Sequence, residues 1–122
     1  MQPDNTYGTD EPRFASSELL ERVDGDEELM REVLSIFLED SPNILEKLKL
    51  GIEGALPDAV AKAAHTLKGA SANIAANRLR SHAYQLELKA KSGDLAGAEN
   101  IYAALETEFE ELKKYLNQYL LK

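Results

Sequence analysis

The chain has 122 residues, of which 43% are hydrophobic and 30% are charged, and it contains no cysteine. This length allows one compact core but not two, and the absence of cysteine excludes disulfide frameworks and thiolate metal sites. The formal net charge of −8 argues against binding to nucleic-acid backbones or anionic membranes, which favour a basic surface, and it favours a protein partner.

The sequence carries neither a membrane span nor an export signal. No run approaches the roughly 18 apolar residues that a transmembrane helix needs. Residues 1–13 are polar and lack the basic and apolar regions of a secretory signal peptide. Because they have almost nothing to bury, we expect a disordered tail or linker over 1–13 and a single domain over 14–122. The expected location is cytoplasmic.

From Phe14 onward the pattern is that of consecutive helices. The first is short, with Ser16 or Ser17 as its N-terminal cap and its end near Gly25. The second is long, and Pro42 within it removes one backbone hydrogen bond, which we expect to bend this helix rather than end it. Spacings of three and four residues predict its buried face: Leu29, Val33, Ile36, Phe37, Ile44, Leu48 and Ile52.

Three further helices follow. The third opens at Pro57 or Asp58 and runs to about Ala75, the fourth ends at Gly93, and the fifth lies within 94–121. The fifth has a sustained bundle seam: Ala98, Tyr102, Leu105, Phe109, Leu112, Leu116 and Tyr119. No segment alternates as a strand does, and short connections imply antiparallel neighbours. The sequence therefore predicts an all-α, antiparallel bundle.

His65 lies on the outward face of the third helix. At about 100° per residue, the core stripe is centred near Leu67, and His65 points about 160° away from it. The outward face also carries Ala61, Lys68, Gly69 and Ala72. A glycine inside a helix costs about 1 kcal/mol relative to alanine, so Gly69 indicates that another molecule approaches the imidazole closely. A tight crossing of two helices is the alternative explanation.

The residues near His65 exclude several kinds of chemistry. A Ser/His/Asp arrangement needs a hydroxyl beside the base, but Thr66 lies about 100° round the helix and Ser71 belongs to the core stripe. Gly-rich phosphate loops are missing, so the chain has no evident ATP site. The acids of the fifth helix are interpreted as a solvated face rather than a metal cage: Glu106, Glu108, Glu110 and Glu111. The remaining possibility is that the exposed imidazole itself is the nucleophile and accepts a phosphoryl group from a partner protein. Lys68 would then offset the charge of the phosphate.

The segment HTLKGAS at 65–71 resembles the His-x-Leu-Lys-Gly-[Ala/Ser]-[Ser/Ala] signature of histidine-containing phosphotransfer (HPt) domains, which relay phosphoryl groups in His-Asp phosphorelays. The similarity covers about 14–119. It implies a four-helix bundle with a short extra N-terminal helix across one end. It also implies that His65 is the phosphoacceptor through Nε2, that Lys68 steadies the phosphoryl group, and that Gly69 permits close docking of a receiver domain.

The resemblance further implies a phosphoryl carrier, not an enzyme, without kinase activity or a cofactor of its own. Its partners would be receiver domains of response regulators, which supply an aspartyl phosphate and Mg²⁺, and a sensor or hybrid histidine kinase. Ala61 and Ala72 are expected to belong to the docking face, and a monomer is expected. The sequence leaves open which kinase and receiver are used, the direction of transfer, and whether the chain is free-standing or part of a hybrid kinase.

One residue departs from the family pattern, and a second histidine needs its own interpretation. Ala75 follows Ile74 where the family often has a glycine, so the third helix is expected to end differently, with Asn77 as an alternative cap. His82 is predicted to be a partly buried structural histidine rather than a second phosphosite. Two other functions stay open: a helical adaptor that docks partners without chemistry, and an enzyme such as a phosphohistidine phosphatase or a carboxylate-metal bundle.

Overall fold

The computed structural model describes residues 13–121. Over this range it has no strand and five helices: α1 (Ser16–Arg22), α2 (Glu27–Glu53), α3 (Pro57–Asn73), α4 (Asn77–Lys91) and α5 (Ala98–Leu120). The predicted all-α fold is confirmed, while all but the last residue of the predicted tail at 1–13 lies outside the described range. None of these five helices is long and apolar enough to cross a membrane.

The four long helices form the expected bundle. α2 packs on α3, α3 on α4, α4 on α5, and α5 packs back on α2. The connections at 54–56 and 74–76 are only three residues long, so consecutive helices must run antiparallel. Fully buried leucines from all four helices fill the centre: Leu34, Leu48, Leu67, Leu79, Leu86, Leu105, Leu112 and Leu116.

The short helix α1 crosses one end of the bundle. Just before it, the backbone N–H of Ala15 donates to the carbonyl of Ala75 in the α3–α4 turn at 3.0 Å. Phe14 packs edge to face on Tyr115 and Tyr119 of α5, with ring centroids 6.0 and 5.9 Å apart. These contacts place the start of α1 against the α3–α4 turn and against α5. The short helix therefore lies across one end of the bundle, as the family resemblance implies.

The predicted cap of α1 is wrong. Ala15 occupies the N-cap position and makes no side-chain hydrogen bond, and Ser16 is already the first residue of the helix. The backbone contact of Ala15 with the α3–α4 turn sets where this short helix begins, so tertiary structure overrides the serine preference. The side chain of Asp26 does cap α2, because it accepts a hydrogen bond from the N–H of Leu29 at 3.0 Å.

Helix α2 runs through Pro42 without a break, which confirms that the proline does not end it. Its predicted buried face is partly wrong, because Leu29 and Ile36 are 40% and 52% exposed, while Phe37 and Leu48 are buried. Apolar residues cover more than one side of this helix. The true core face is rotated toward five buried residues that the prediction left out: Met30, Leu34, Ser41, Leu45 and Gly51.

An apolar groove lies between α2 and α3, and the exposed Ile36 is one of the residues that line it. Ile36 and Ile44 line it from α2, and Thr66 and Ala70 line it from α3. Thr66 directly follows His65 in the sequence. Thr66 also lines a second cavity, which His65 borders, so the groove adjoins the surface around the histidine.

Helix α3 ends in a Schellman motif built without glycine. The N–H of Ala76 donates to the carbonyl of Ser71 at 2.9 Å, and the N–H of Ala75 donates to that of Ala72 at 3.1 Å. Ala75 itself takes the left-handed conformation, with φ of 60°. Asn77 does not cap α3 and is instead the first residue of α4.

Candidate functional site

His65 projects from the middle of α3, and 68% of its side chain is exposed. Leu67, two residues further on, is fully buried in the bundle. The two side chains therefore point in nearly opposite directions, as the helical periodicity predicts. The imidazole stands at the surface while its helix is anchored from below.

A buried carboxylate on α4 holds the imidazole from beneath. Nδ1 of His65 lies 2.9 Å from Oε2 of Glu87, and Glu87 is only 1% exposed. Glu87 lies on the inner stripe of α4, four residues after Ala83 and three before Ala90, both of which are buried. The packing of α4 on α3 thus places the carboxylate of Glu87 next to Nδ1 of His65.

Glu87 is ionised because three groups converge on it. Nζ of Lys68 lies 2.8 Å from Oε1, and Nζ of Lys91 lies 3.1 Å from Oε2. Burial by itself raises the pKa of Glu87, but the interactions with Lys68, Lys91 and His65 outweigh it and lower the pKa to about 2. The buried carboxylate therefore carries its charge throughout the physiological pH range.

The ionised state of Glu87 determines which imidazole nitrogen is nucleophilic. A carboxylate can only accept hydrogen bonds, so Nδ1 of a neutral His65 must carry the proton and donate it to Glu87. The lone pair then lies on Nε2, which points away from the carboxylate toward solvent. This tautomer presents a nucleophilic nitrogen at the exposed edge of the ring.

Lys68 is held on one side of the imidazole. Its ammonium lies 5.1 Å from the ring centroid of Tyr84 on α4, in addition to its ion pair with Glu87. Both Lys68 in α3 and Tyr84 in α4 lie three residues from the His65–Glu87 pair, toward the C-terminal end of α3. The cation is therefore already next to the histidine before any anion arrives.

The other three residues predicted to lie around His65 differ in how close they are to it. A Cβ added at Gly69 would meet nothing within 4 Å, which rules out a tight helix crossing as the reason for this glycine. Ala61 and His65 line the same open cavity of about 480 Å³. Ala72 is further away toward α1, where its carbonyl accepts a hydrogen bond from Arg22.

Neither of the two nearby hydroxyl residues considered from the sequence, Thr66 and Ser71, is placed to form a nucleophile with His65. Oγ1 of Thr66 donates to the carbonyl of Lys62 at 3.1 Å, and Ser71 is fully buried. Within 13–121, no group of three or more His, Asp or Glu residues is arranged to hold a metal ion. The chemistry that this site supports is therefore that of the imidazole itself.

Two predictions about charged residues away from this site have different outcomes. His82 is 6% exposed, which confirms a structural histidine; burial lowers its pKa, and the charge of Glu108 partly opposes that shift. Glu108 is wrongly assigned to a solvated face, since it is 7% exposed and pairs with Arg13 at 2.8 Å. Glu106, Glu110 and Glu111 are exposed as predicted.

Sequence reasoning missed Glu87 and Lys91. A usable signal exists for Glu87, because its spacing from Ala83 and Ala90 places it on the inner stripe of α4. An acid on an apolar stripe must find a cationic partner. Lys91, one turn further along the same helix, follows from Glu87 once that residue is recognised.

Comparison with known proteins agrees with the all-α bundle fold. The family model of the Hpt domain matches residues 32–115. The crystal structure of histidine-containing phosphotransfer protein B (HptB) from Pseudomonas aeruginosa PAO1 is similar, with a TM-score of 0.84 and 25% sequence identity over 90% of this chain and 96% of that chain. Curated protein sequences give no match. Because the family model covers most of its length, the chain belongs to the Hpt domain family, whose members are phosphoryl carriers of phosphorelays.

Proposed function

We propose that His65 is the phosphoacceptor of this phosphotransfer protein. It accepts a phosphoryl group on Nε2 from the aspartyl phosphate of a receiver domain, or from a histidine kinase, and passes it to another receiver. The observation that carries the proposal is the 2.9 Å contact between Nδ1 of His65 and Oε2 of Glu87, because it leaves Nε2 unprotonated and exposed.

The proposed transfer step balances in atoms and charge. The lone pair on Nε2 attacks phosphorus, the bond between phosphorus and the aspartyl oxygen of the receiver breaks, and a carboxylate leaves with the electron pair. The Nδ1 proton stays in its hydrogen bond to Glu87, so the imidazole ring acquires positive charge. The ionised Glu87 directly beneath the ring stabilises that charge. Reversal of the same step loads the next receiver.

Two neighbours of His65 support this role. Lys68, at 2.8 Å from Oε1 of Glu87, supplies a cation on one side of the ring for the incoming phosphoryl group. Gly69 has open space where a side chain would stand, so a receiver's active-site loops can approach the histidine closely. Mg²⁺ belongs to the receiver in this proposal, and the chain contributes no cofactor.

The docking face in this proposal includes the α2–α3 groove as well as Ala61 and Ala72. The groove is lined by apolar side chains such as Ile36 and Ile44 and reaches Thr66, next to the phosphoacceptor. A receiver domain seated there would place its aspartate over His65. The chain is proposed to act as a monomer in the cytoplasm, where receivers and kinase domains meet.

The test of the phosphoacceptor uses two matched variants. The protein is incubated with phosphorylated receiver domains, and acid-labile label is followed in the wild type, His65→Gln and His82→Gln. We expect His65→Gln to take up no label and His82→Gln to be labelled as the wild type, because His82 is buried. Labelling of His65→Gln at the wild-type level would refute the assignment. Normal signalling by His65→Ala would favour the adaptor function.

The docking face has a separate test. Ile36→Asp introduces a charge into the α2–α3 groove at a side chain that is already 52% exposed, so the fold should tolerate it. We expect receiver-dependent transfer to fall while labelling by a small phosphoryl donor is unchanged. Leu121→Asp, which alters an 86% exposed side chain just after α5 and outside the groove, is the control. Equal transfer by Ile36→Asp and the control would place docking elsewhere.

A further inference from the structure

The open cavity beside His65 is bordered by two lysines other than Lys68. Its walls include Lys62, Glu87 and Lys91, together with Ala61 and His65. Lys68 does not line it. Because α3 and α4 are antiparallel, Lys91 lies on the side of the imidazole opposite to Lys68 and Tyr84. The exposed nitrogen of the histidine therefore has a lysine on each side.

Lys91 is both close to the imidazole and weakly held. Its ammonium lies 3.1 Å from Oε2 of Glu87, the same oxygen that contacts Nδ1 of His65 at 2.9 Å. The Lys91 side chain is 62% exposed, against 27% for Lys68. Because the ammonium of Lys91 is largely exposed, solvent screens its attraction to Glu87, and Lys91 can exchange this partner at little cost.

We propose that Lys91 is a second phosphoryl-binding residue, which turns from Glu87 to the phosphoryl group on His65. The inference rests on the proposed function of His65 and extends it. Glu87 offers one negative charge, whereas a phosphoryl group brings nearly two and three strong acceptor oxygens. The ammonium of Lys91 gains by the exchange, while Lys68 and the ring N–H keep Glu87 paired.

Lys62 is the competing residue in the same cavity, and the structure distinguishes the two. Lys91 pairs with the oxygen that also contacts the imidazole, which places its ammonium near the ring before phosphorylation. The Lys62 backbone carbonyl is engaged by Thr66, but no contact holds the Lys62 ammonium toward His65. Lys91 is therefore the cation already in position.

The experiment uses phosphoramidate as the donor and needs no receiver. Nε2 of His65 attacks its phosphorus, the nitrogen–phosphorus bond of the donor breaks, and ammonia leaves. The rate of His65 labelling is measured for the wild type, Lys91→Gln, Lys91→Arg, Lys62→Gln and Lys114→Gln. Lys114 is a matched control, since it is 72% exposed and pairs with Glu111 one turn away on α5.

We expect Lys91→Gln to be labelled about fivefold more slowly than the wild type, in line with the loss of one charge-assisted hydrogen bond. Lys91→Arg should retain most of the rate, Lys62→Gln should have a smaller effect, and Lys114→Gln none. A wild-type rate in Lys91→Gln, or an equal loss in Lys62→Gln, would overturn the proposal. Failure of wild-type His65 to be labelled would instead refute the proposed function.

A double-mutant cycle separates direct binding from an effect through Glu87. If Lys91 contacts the phosphoryl group, Lys91→Gln still slows labelling by about the same factor in a Glu87→Gln background. If Lys91 acts only by holding Glu87, the second substitution has no further effect, and the proposal fails. Thermal unfolding of each variant confirms that the rates refer to folded protein.

Discussion

Gly51 of α2 lies directly against Val60 of α3. A Cβ added at Gly51 would stand 2.9 Å from Cγ2 of Val60 and 3.4 Å from its backbone nitrogen. Val60 is fully buried, and its branched side chain has few other rotamers available. The close approach of α2 and α3 thus depends on a glycine at a position that the sequence pattern did not single out.

Gly51→Ala is expected to destabilise the protein. The added methyl overpacks the α2–α3 contact at a cost of about 1–3 kcal/mol, which exceeds the gain of about 1 kcal/mol from helix propensity. We expect a lower free energy of unfolding in urea, by about 1 kcal/mol net on these magnitudes. An increase in stability would show that the two helices separate easily.

Gly69→Ala should have the opposite effect on stability. Nothing lies within 4 Å of the added Cβ, so only the propensity term remains and the free energy of unfolding should rise by up to about 1 kcal/mol. Transfer from a phosphorylated receiver should nevertheless become slower, because the methyl stands where the partner approaches. Stability and transfer are measured on the same samples. Faster or unchanged transfer would mean that the glycine is not needed for clearance.

The number and order of the helices were predictable from periodicity, but their faces were less so. The seam of α5 is confirmed at Leu105, Phe109 and Leu112, where a sustained spacing of three and four residues identifies one face. In α2 the apolar residues cover more than one side, and a period alone does not say which of them α3 and α5 will bury. Leu29 and Ile36 were misplaced for this reason.

The site was predictable only on its outward side. The positions of His65, Lys68 and Gly69 follow from the wheel of one helix, because they share that helix. Glu87 comes from α4, and its contact with His65 depends on how two helices pack. Acidic residues are mostly exposed, so a single glutamate on a helix is expected at the surface. Glu87 is buried instead.

Glu87 should govern the reactivity of His65. Glu87→Gln keeps an acceptor for the Nδ1 proton but loses the charge that stabilises the phosphorylated ring, whereas Glu87→Ala loses both. We expect labelling by phosphoramidate to be slowed several-fold by the first and about tenfold or more by the second. Equal rates in Glu87→Ala and the wild type would show that the carboxylate does not position the imidazole.

Glu87 should also make stability depend on pH in the acid range. Its pKa is about 2 in the folded protein, lowered from 4.5, so its contribution is fully present above about pH 4.5 and is lost as the pH falls toward 2. We expect about 1–3 kcal/mol of stability from this linkage, less than the full shift implies because Lys91 is largely exposed.

The measurement is the difference in the free energy of unfolding between the wild type and Glu87→Gln as a function of pH. The difference cancels the titration of carboxylates that both proteins share. It should be constant above about pH 5 and should shrink steadily below that value. A difference that does not change with pH would show that Glu87 is not ionised in its buried position.

His82 should make the stability of the protein depend on pH near neutrality as well. The cause is the burial of His82, which does not involve His65 or Glu87. Burial lowers its pKa in the folded protein, against the partial opposition of Glu108, so folding favours the neutral imidazole. Stability is then fully present above the unfolded pKa of about 6.5 and declines as the pH falls below it. Between about pH 7.5 and 5.5, the wild type should lose more stability than His82→Gln, which has no group to protonate there. Parallel pH profiles for the two proteins would contradict this account, and the rate of His65 labelling should be the same in both.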